Sequence, residues 1–186
     1  MKQSIRIIGG HYRGKKLHFP AIDGLRPTSD RIRETVFNWL MHDIRQARCL
    51  DTFAGSGALG FEAFSRGAAS VVLIEHDPLA FSNLKQICTS FHSSNLTVLK
   101  EDAYEYVKQH AQSGQQPFDV IFLDPPFAKP HLLDCIPIFG QSPILKPGGL
   151  LYLETPHDMG LNSEIWETLK LKHAGQVCYA LYRKIM

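Results

Sequence analysis

Residues 49–60 read Cys49-Leu50-Asp51-Thr52-Phe53-Ala54-Gly55-Ser56-Gly57-Ala58-Leu59-Gly60. An apolar run ends on a carboxylate, crosses a glycine loop, and resumes as a small, apolar segment suited to a helix. Glycines let the chain turn tightly and let a ligand touch the backbone before the helix opens at about Ala58. Downstream the theme repeats. Strand-like runs at Cys49–Phe53, Ser70–Glu75, Leu96–Lys100, Phe118–Leu123 and Gly149–Glu154 alternate with helically spaced segments at Ala58–Arg66, Pro78–Phe91, Ala103–Ala111 and Pro130–Gln141. Strands apolar on both faces, alternating with helices, predict an α/β fold with a parallel sheet covered on both sides. The tail, Leu169–Ala174 and Val177–Ile185, predicts an antiparallel hairpin turning at Gly175 on one sheet edge.

The first 20 residues differ. They alternate apolar and basic residues with glycines and predict a short β-hairpin or a pair of strands. Thr28, Ser29 or Asp30 can cap the helix that follows, although a full capping box is absent. Val36, Phe37, Leu40 and Met41 form its apolar face. The expected division is a basic N-terminal extension at 1–26 and a main domain at 27–186, with 27–45 as the joining helix.

At 186 residues, 44% of them hydrophobic and 20% charged, the chain suits a single globular domain with an appendage. No apolar run approaches the roughly 20 residues of a membrane span. The N-terminus carries no apolar signal segment, so the expected location is cytoplasmic. Cys49, Cys88, Cys135 and Cys178 have no metal-binding spacing, and neither a metal nor a disulfide is expected. Residues 1–50 hold ten Lys/Arg against four Asp/Glu, a net of +6, whereas the remainder nets −4. A basic arm on an acidic body points to an anionic partner such as nucleic acid.

Gly55-Ser56-Gly57-Ala58-Leu59-Gly60 matches GxGxxG, a weak signal that also suits dinucleotides. Asp51, just upstream, would repel a pyrophosphate. It suits a cationic amino acid group, such as the methionyl ammonium of S-adenosylmethionine; the plainer alternative is a turn cap. Glu75, ending the second strand, can accept from both ribose hydroxyls. Asp102, ending the third, can accept from an adenine amino group, cap the next helix, or do both. Phe53, Ser56 and Ala103 flank these positions as further cofactor contacts.

The fourth strand ends in Asp124-Pro125-Pro126-Phe127. An aromatic amine is a poor nucleophile because its lone pair is delocalised into the ring. Acceptors beside its hydrogens favour a pyramidal nitrogen with the lone pair aimed outward. Asp124 can supply one acceptor, and a carbonyl of the rigid Pro125-Pro126 segment a second. Phe127 can stack on an unpaired or turned-out base. The reaction is then an in-line displacement at a sulfonium methyl, driven by orientation and acceptor geometry.

Together these residues resemble the class I S-adenosylmethionine-dependent methyltransferases. More narrowly, Ile7–Leu17, Arg26–Leu40, Asp51–Ala68 and Phe118–Phe127 resemble the RsmD family of bacterial ribosomal RNA guanine-N2 methyltransferases, over nearly the whole chain. The resemblance implies a Rossmann-like, seven-stranded, mostly parallel sheet with an antiparallel last strand. It implies methylation of the N2 amine of one guanine in 16S rRNA within the 30S subunit. Asp51, Gly55, Gly57, Glu75 and Asp102 would hold the cofactor, and Asp124, Pro125, Pro126 and Phe127 the guanine. Arg6, His11, Arg13, Lys15, Lys16 and Arg26 would contact phosphates. Arg31 and Arg33 could face either RNA or cofactor. Thr52 stands where family members usually carry Leu. The expected enzyme is a monomer.

Three other readings compete. An adenine amino-methyltransferase would share the Asp-Pro-Pro-Phe chemistry. An NAD-dependent oxidoreductase would share the glycine loop. An inert RNA-binding module would share only the arm.

Overall fold

The computed structural model describes residues 2–22, 27–126 and 133–186. It has two sheets. β1 (Lys2–Arg6) and β2 (Lys16–Pro20) form the antiparallel hairpin expected at the N-terminus. The main sheet holds β3 (Arg48–Asp51), β4 (Ser70–Ile74), β5 (Leu96–Leu99), β6 (Phe118–Leu123), β7 (Leu145–Thr155), β8 (Trp166–Ala174) and β9 (Val177–Lys184). Their order is β5-β4-β3-β6-β7-β9-β8. β3 to β7 are parallel, and β9 runs antiparallel to both of its neighbours. This is the predicted α/β sheet with a reversed final strand. The tail hairpin also forms, with Gly175 at φ +61° in its turn.

The helices are α1 (Asp30–Trp39), α2 (Ala58–Ser65), α3 (Pro78–Thr89), α4 (Ala103–Gln112) and α5 (Cys135–Gln141). Of the three cap candidates for α1, Ser29 takes the role: its hydroxyl accepts from the Ile32 amide. Val36, Phe37 and Leu40 are buried as the apolar pattern requires, but Met41 lies past the helix end and is 61% exposed. The Leu145-Lys146-Pro147-Gly148-Gly149 segment is the irregular start of β7; the pairing register with β6 shifts there. Asp77 caps α3 with Pro78 at the first helical position.

Apolar side chains on the two faces of the sheet form two cores. Val36 and Phe37 of α1, Leu40 just past its end, Phe61 of α2 and Leu84 of α3 pack on one face, against Cys49, Val71, Phe122 and Tyr152. Ile5, Ile7, Leu17 and Phe19 of the hairpin join that same core. On the other face Leu50, Ile121, Leu123 and Leu151 meet Val107 of α4 and Phe139 of α5. Each such buried side chain contributes about 1.5–3 kcal/mol. The four cysteines are free thiols. Among the described residues, no helix is long and apolar enough to cross a membrane.

Candidate active site

The chain leaves β3 for β4 on one side and later returns to β6 on the other. Ligands of open α/β sheets bind at such a switch point, beyond the carboxyl ends of the strands. The carboxylates predicted from the sequence stand along that edge. Asp102 follows β5, Glu75 follows β4, Asp51 ends β3, and Asp124 follows β6.

Register brings four acids to one face. Asp51 pairs with Leu73 and with Phe122, and Phe122 pairs with Tyr152. Side chains alternate along a strand, so Glu75, Asp124 and Glu154, each two residues further on, project to the same side one row higher.

Asp51 is 2% exposed, and its carboxylate accepts from the Gly60 amide at 2.9 Å. Burial pushes its pKa up to about 7, with the nearby Glu75 charge adding to the rise and the amides of Gly60 and Phe53 opposing it. Asp51 therefore holds an amide in the first turn of α2, and it is also an enclosed acid with no cation beside it among the described residues. The loop above is held by Glu75, which accepts from the Gly55 amide at 2.9 Å and the Asp77 amide at 2.8 Å. Gly57 sits in the left-handed region at φ +77°, where an added Cβ would lie 2.2 Å from the Phe61 ring. Ser56 is buried and Phe53 half-buried. Thr52 ties the two sides of the switch point: its hydroxyl donates to the Phe122 carbonyl at 2.7 Å. Asp102 is exposed, and one of its oxygens accepts from the Tyr104 and Glu105 amides. Its second oxygen makes no protein hydrogen bond among the described residues, so capping and ligand binding are compatible. Ala103 is buried behind it.

Asp124 accepts from the Thr28 hydroxyl at 3.1 Å. Burial of its carboxyl, then the neighbouring Glu154 charge, hold its pKa well above the usual carboxylate range, and the Thr28 bond works against both. Pro125 is buried and Pro126 exposed. Phe127 and Arg26 lie outside the described residues.

The arm divides. Arg6, His11, Arg13 and Lys16 are exposed. Lys15 is engaged in the fold: its ammonium donates to the Ser90 carbonyl at 3.1 Å and sits 4.0 Å over the Phe91 ring. Arg33 faces neither RNA nor cofactor. It is fully buried and pairs with Asp30 at 2.5 Å and Glu62 at 3.4 Å. Glu62 of α2 also accepts from the Ile8 and Gly9 amides, both at 2.8 Å, and from Arg66 at 2.7 Å. Sequence reasoning missed Glu62, Thr28 and Glu154. Only Glu154 carried a signal, since it closes an apolar strand on an acid as Glu75 does.

Residues 5–183 match the family described as Conserved hypothetical protein 95. The chain is 43% identical over 185 residues to the ribosomal RNA small subunit methyltransferase D of Haemophilus influenzae, covering 98% of this chain and 95% of that protein. Among solved structures, yhhF of Escherichia coli matches with a TM-score of 0.85 at 39% identity, covering 98% of this chain and 99% of that one. SMU.776, solved in complex with SAH, matches with a TM-score of 0.70 at 16% identity, over 98% of this chain and 56% of that one, a likeness of fold alone.

Proposed function

The chain belongs to the ribosomal RNA small subunit methyltransferase D family, and from that premise we propose that it methylates the exocyclic N2 amine of one guanine in 16S rRNA. The methyl donor is S-adenosylmethionine, which supplies an electrophilic methyl on a sulfonium. The observation that carries the reading is the row of carboxylates at the switch point, with Asp51 and Asp124 on its two central strands.

The residues fit that donor. Asp51 is a buried acid with no cation beside it among the described residues, and an ammonium group there would restore its ionised form. Glu75 is placed to exchange its loop contacts for ribose hydroxyls, and the free oxygen of Asp102 to accept from an adenine amine. Asp124 accepts an N–H of the target amine, and a carbonyl in the Pro125-Pro126 segment accepts the other. Together they direct the nitrogen lone pair toward the methyl. Phe127 stacks on the base. Chain groups supply orientation and acceptor geometry, which accounts for catalysis without a covalent nucleophile.

Arg6, His11, Arg13 and Lys16 contact phosphates and set the register of the RNA. Residues 1–26 act as the RNA-binding extension of a catalytic domain at 27–186. The enzyme works as a cytoplasmic monomer on the 30S subunit.

The test is transfer of tritiated methyl to 30S subunits and to naked 16S rRNA from cells lacking the enzyme, followed by nucleoside analysis. Label in N2-methylguanine is expected. Label in N6-methyladenine overturns the base assignment, and loss of donor binding overturns the site.

A further inference from the structure

Thr28 is not among the groups that touch donor or base, yet it reaches the reacting centre. It is 8% exposed, and its hydroxyl donates to Oδ2 of Asp124 at 3.1 Å. Among the described residues no other protein group donates to the Asp124 side chain, so Oδ1 is left for a ligand.

Thr28 is itself held firmly. The next residue, Ser29, caps α1: its hydroxyl accepts from the Ile32 amide and its carbonyl from the Arg33 amide. The buried Arg33 guanidinium donates to the Arg6 carbonyl at 3.0 Å and pairs with Glu62 of α2. Val36 and Phe37 fix the same helix in the core. The hydroxyl is thus presented from the anchored start of a helix to an acid that follows a central strand, the kind of support that holds a functional side chain in one geometry.

The setting makes that contact matter. Asp124 and Glu154 are the next residues after the paired Leu123 and Leu153, so two acids stand side by side on neighbouring strands. The Tyr152 hydroxyl donates to Glu154 at 2.6 Å, which favours the charge on Glu154 and draws a proton to its neighbour. A proton on Oδ1 of Asp124 would aim a donor at the amine and engage the lone pair that must attack the methyl. A proton on Oδ2 would not. A hydroxyl can donate to a carboxylate or accept from a carboxylic acid. Thr28 engages Oδ2 in both cases, and Oδ1 stays an acceptor.

We infer that Thr28 is a positioning residue: its hydroxyl engages Oδ2 of Asp124, fixes the carboxyl in one orientation and keeps Oδ1 as the acceptor presented to the target amine. The inference rests on the amine-methylation reading, whichever base carries the amine.

Single-turnover transfer of tritiated methyl to 30S subunits tests it, with affinities for S-adenosylmethionine and for the subunits measured alongside. Thr28→Val keeps the side-chain shape and removes the hydroxyl. Transfer should slow by about 10–10²-fold while both affinities stay within about twofold, because a misaimed acceptor acts on the reacting centre. Thr28→Ser keeps the hydroxyl and should restore the rate to within about threefold of the parent. Added to Asp124→Ala, Thr28→Val should cost nothing further, because it acts through that carboxyl. An unchanged rate in Thr28→Val overturns the inference. So does a loss that Thr28→Ser fails to restore, or one that persists in full on Asp124→Ala, since either assigns Thr28 to the fold alone. Failure of the underlying reading looks different: the parent enzyme then labels no base amine at all. Label on an adenine amine, with the same loss in Thr28→Val, moves the base assignment and supports the role of Thr28.

Discussion

The Gly60 amide donates to the Asp51 carboxylate at 2.9 Å, so the acid that ends β3 also closes the first turn of α2. One side chain thereby ties the end of β3 to the start of α2 across the glycine loop. Burial sets a cost on its charge when no cation is near, since the Asp51 pKa rises to about 7.

Stability of the ligand-free protein should therefore fall as pH rises from about 4 to about 7. The folded state holds a proton on Asp51 that the unfolded chain has already released, so unfolding gains with each step upward. The contribution is at most about 4 kcal/mol at 1.36 kcal/mol per unit. Urea unfolding at acidic and neutral pH should show this slope in the parent and a flatter one in Asp51→Asn. Affinity for S-adenosylmethionine should rise over the same window, because its ammonium favours the ionised acid.

Asp124→Asn should reduce methyl transfer by about 10²–10³-fold while donor affinity stays within about twofold, since loss of one charged acceptor at the reacting centre acts on the transition state. Single-turnover rates with calorimetric binding separate the two effects. Equal losses in both would assign Asp124 to the donor instead of the base.

Gly57→Ala should destabilise the loop. The position has φ +77°, and the added methyl would press on Phe61 and Leu84. A left-handed alanine and overpacking together cost roughly 2–4 kcal/mol. For a chain of this size that lowers Tm by about 4–16 °C. Calorimetry checks the value.

Glu62→Ala should cost about 3–5 kcal/mol, because it leaves the buried Arg33 charge without its α2 partner and the Ile8 and Gly9 amides without acceptors. The hairpin should loosen from α2. Limited proteolysis should then cut near residues 8–14 faster in the variant than in the parent.

Lysines one position apart should behave differently. Lys16→Ala should weaken RNA binding and reduce the slope of log affinity against log salt by about one. Lys15→Ala should leave that slope nearly unchanged and lower stability, because its ammonium is committed to Ser90 and Phe91.

The strands, the glycine loop and the acids at Asp51, Glu75, Asp102 and Asp124 were legible because their signals are local. Alternation, punctuation by glycine and proline, and an acid closing an apolar run can each be read within ten residues. The contacts that could not be read there join partners distant in sequence. Arg33 looks like any helix-surface arginine until α2 brings Glu62 against it, and Lys15 looks like Lys16 until α3 places Ser90 and Phe91 beneath it. Thr28 and Asp124 are 96 residues apart. No periodicity links them; only the packing of the α1 start over the end of β6 does.

The main sheet has two open edges, and both are guarded. β5 is four residues long, too short to template much pairing. β8 is nine residues long, but its pairing shifts register between Thr168 and Lys170, and Glu167, Lys172 and His173 point into water. Bulges and charged side chains are the devices by which natural sheets refuse a foreign strand. A seven-stranded sheet built around long apolar runs is an aggregation hazard at high concentration. Here the irregular, charged rim keeps those runs from extending beyond their own molecule.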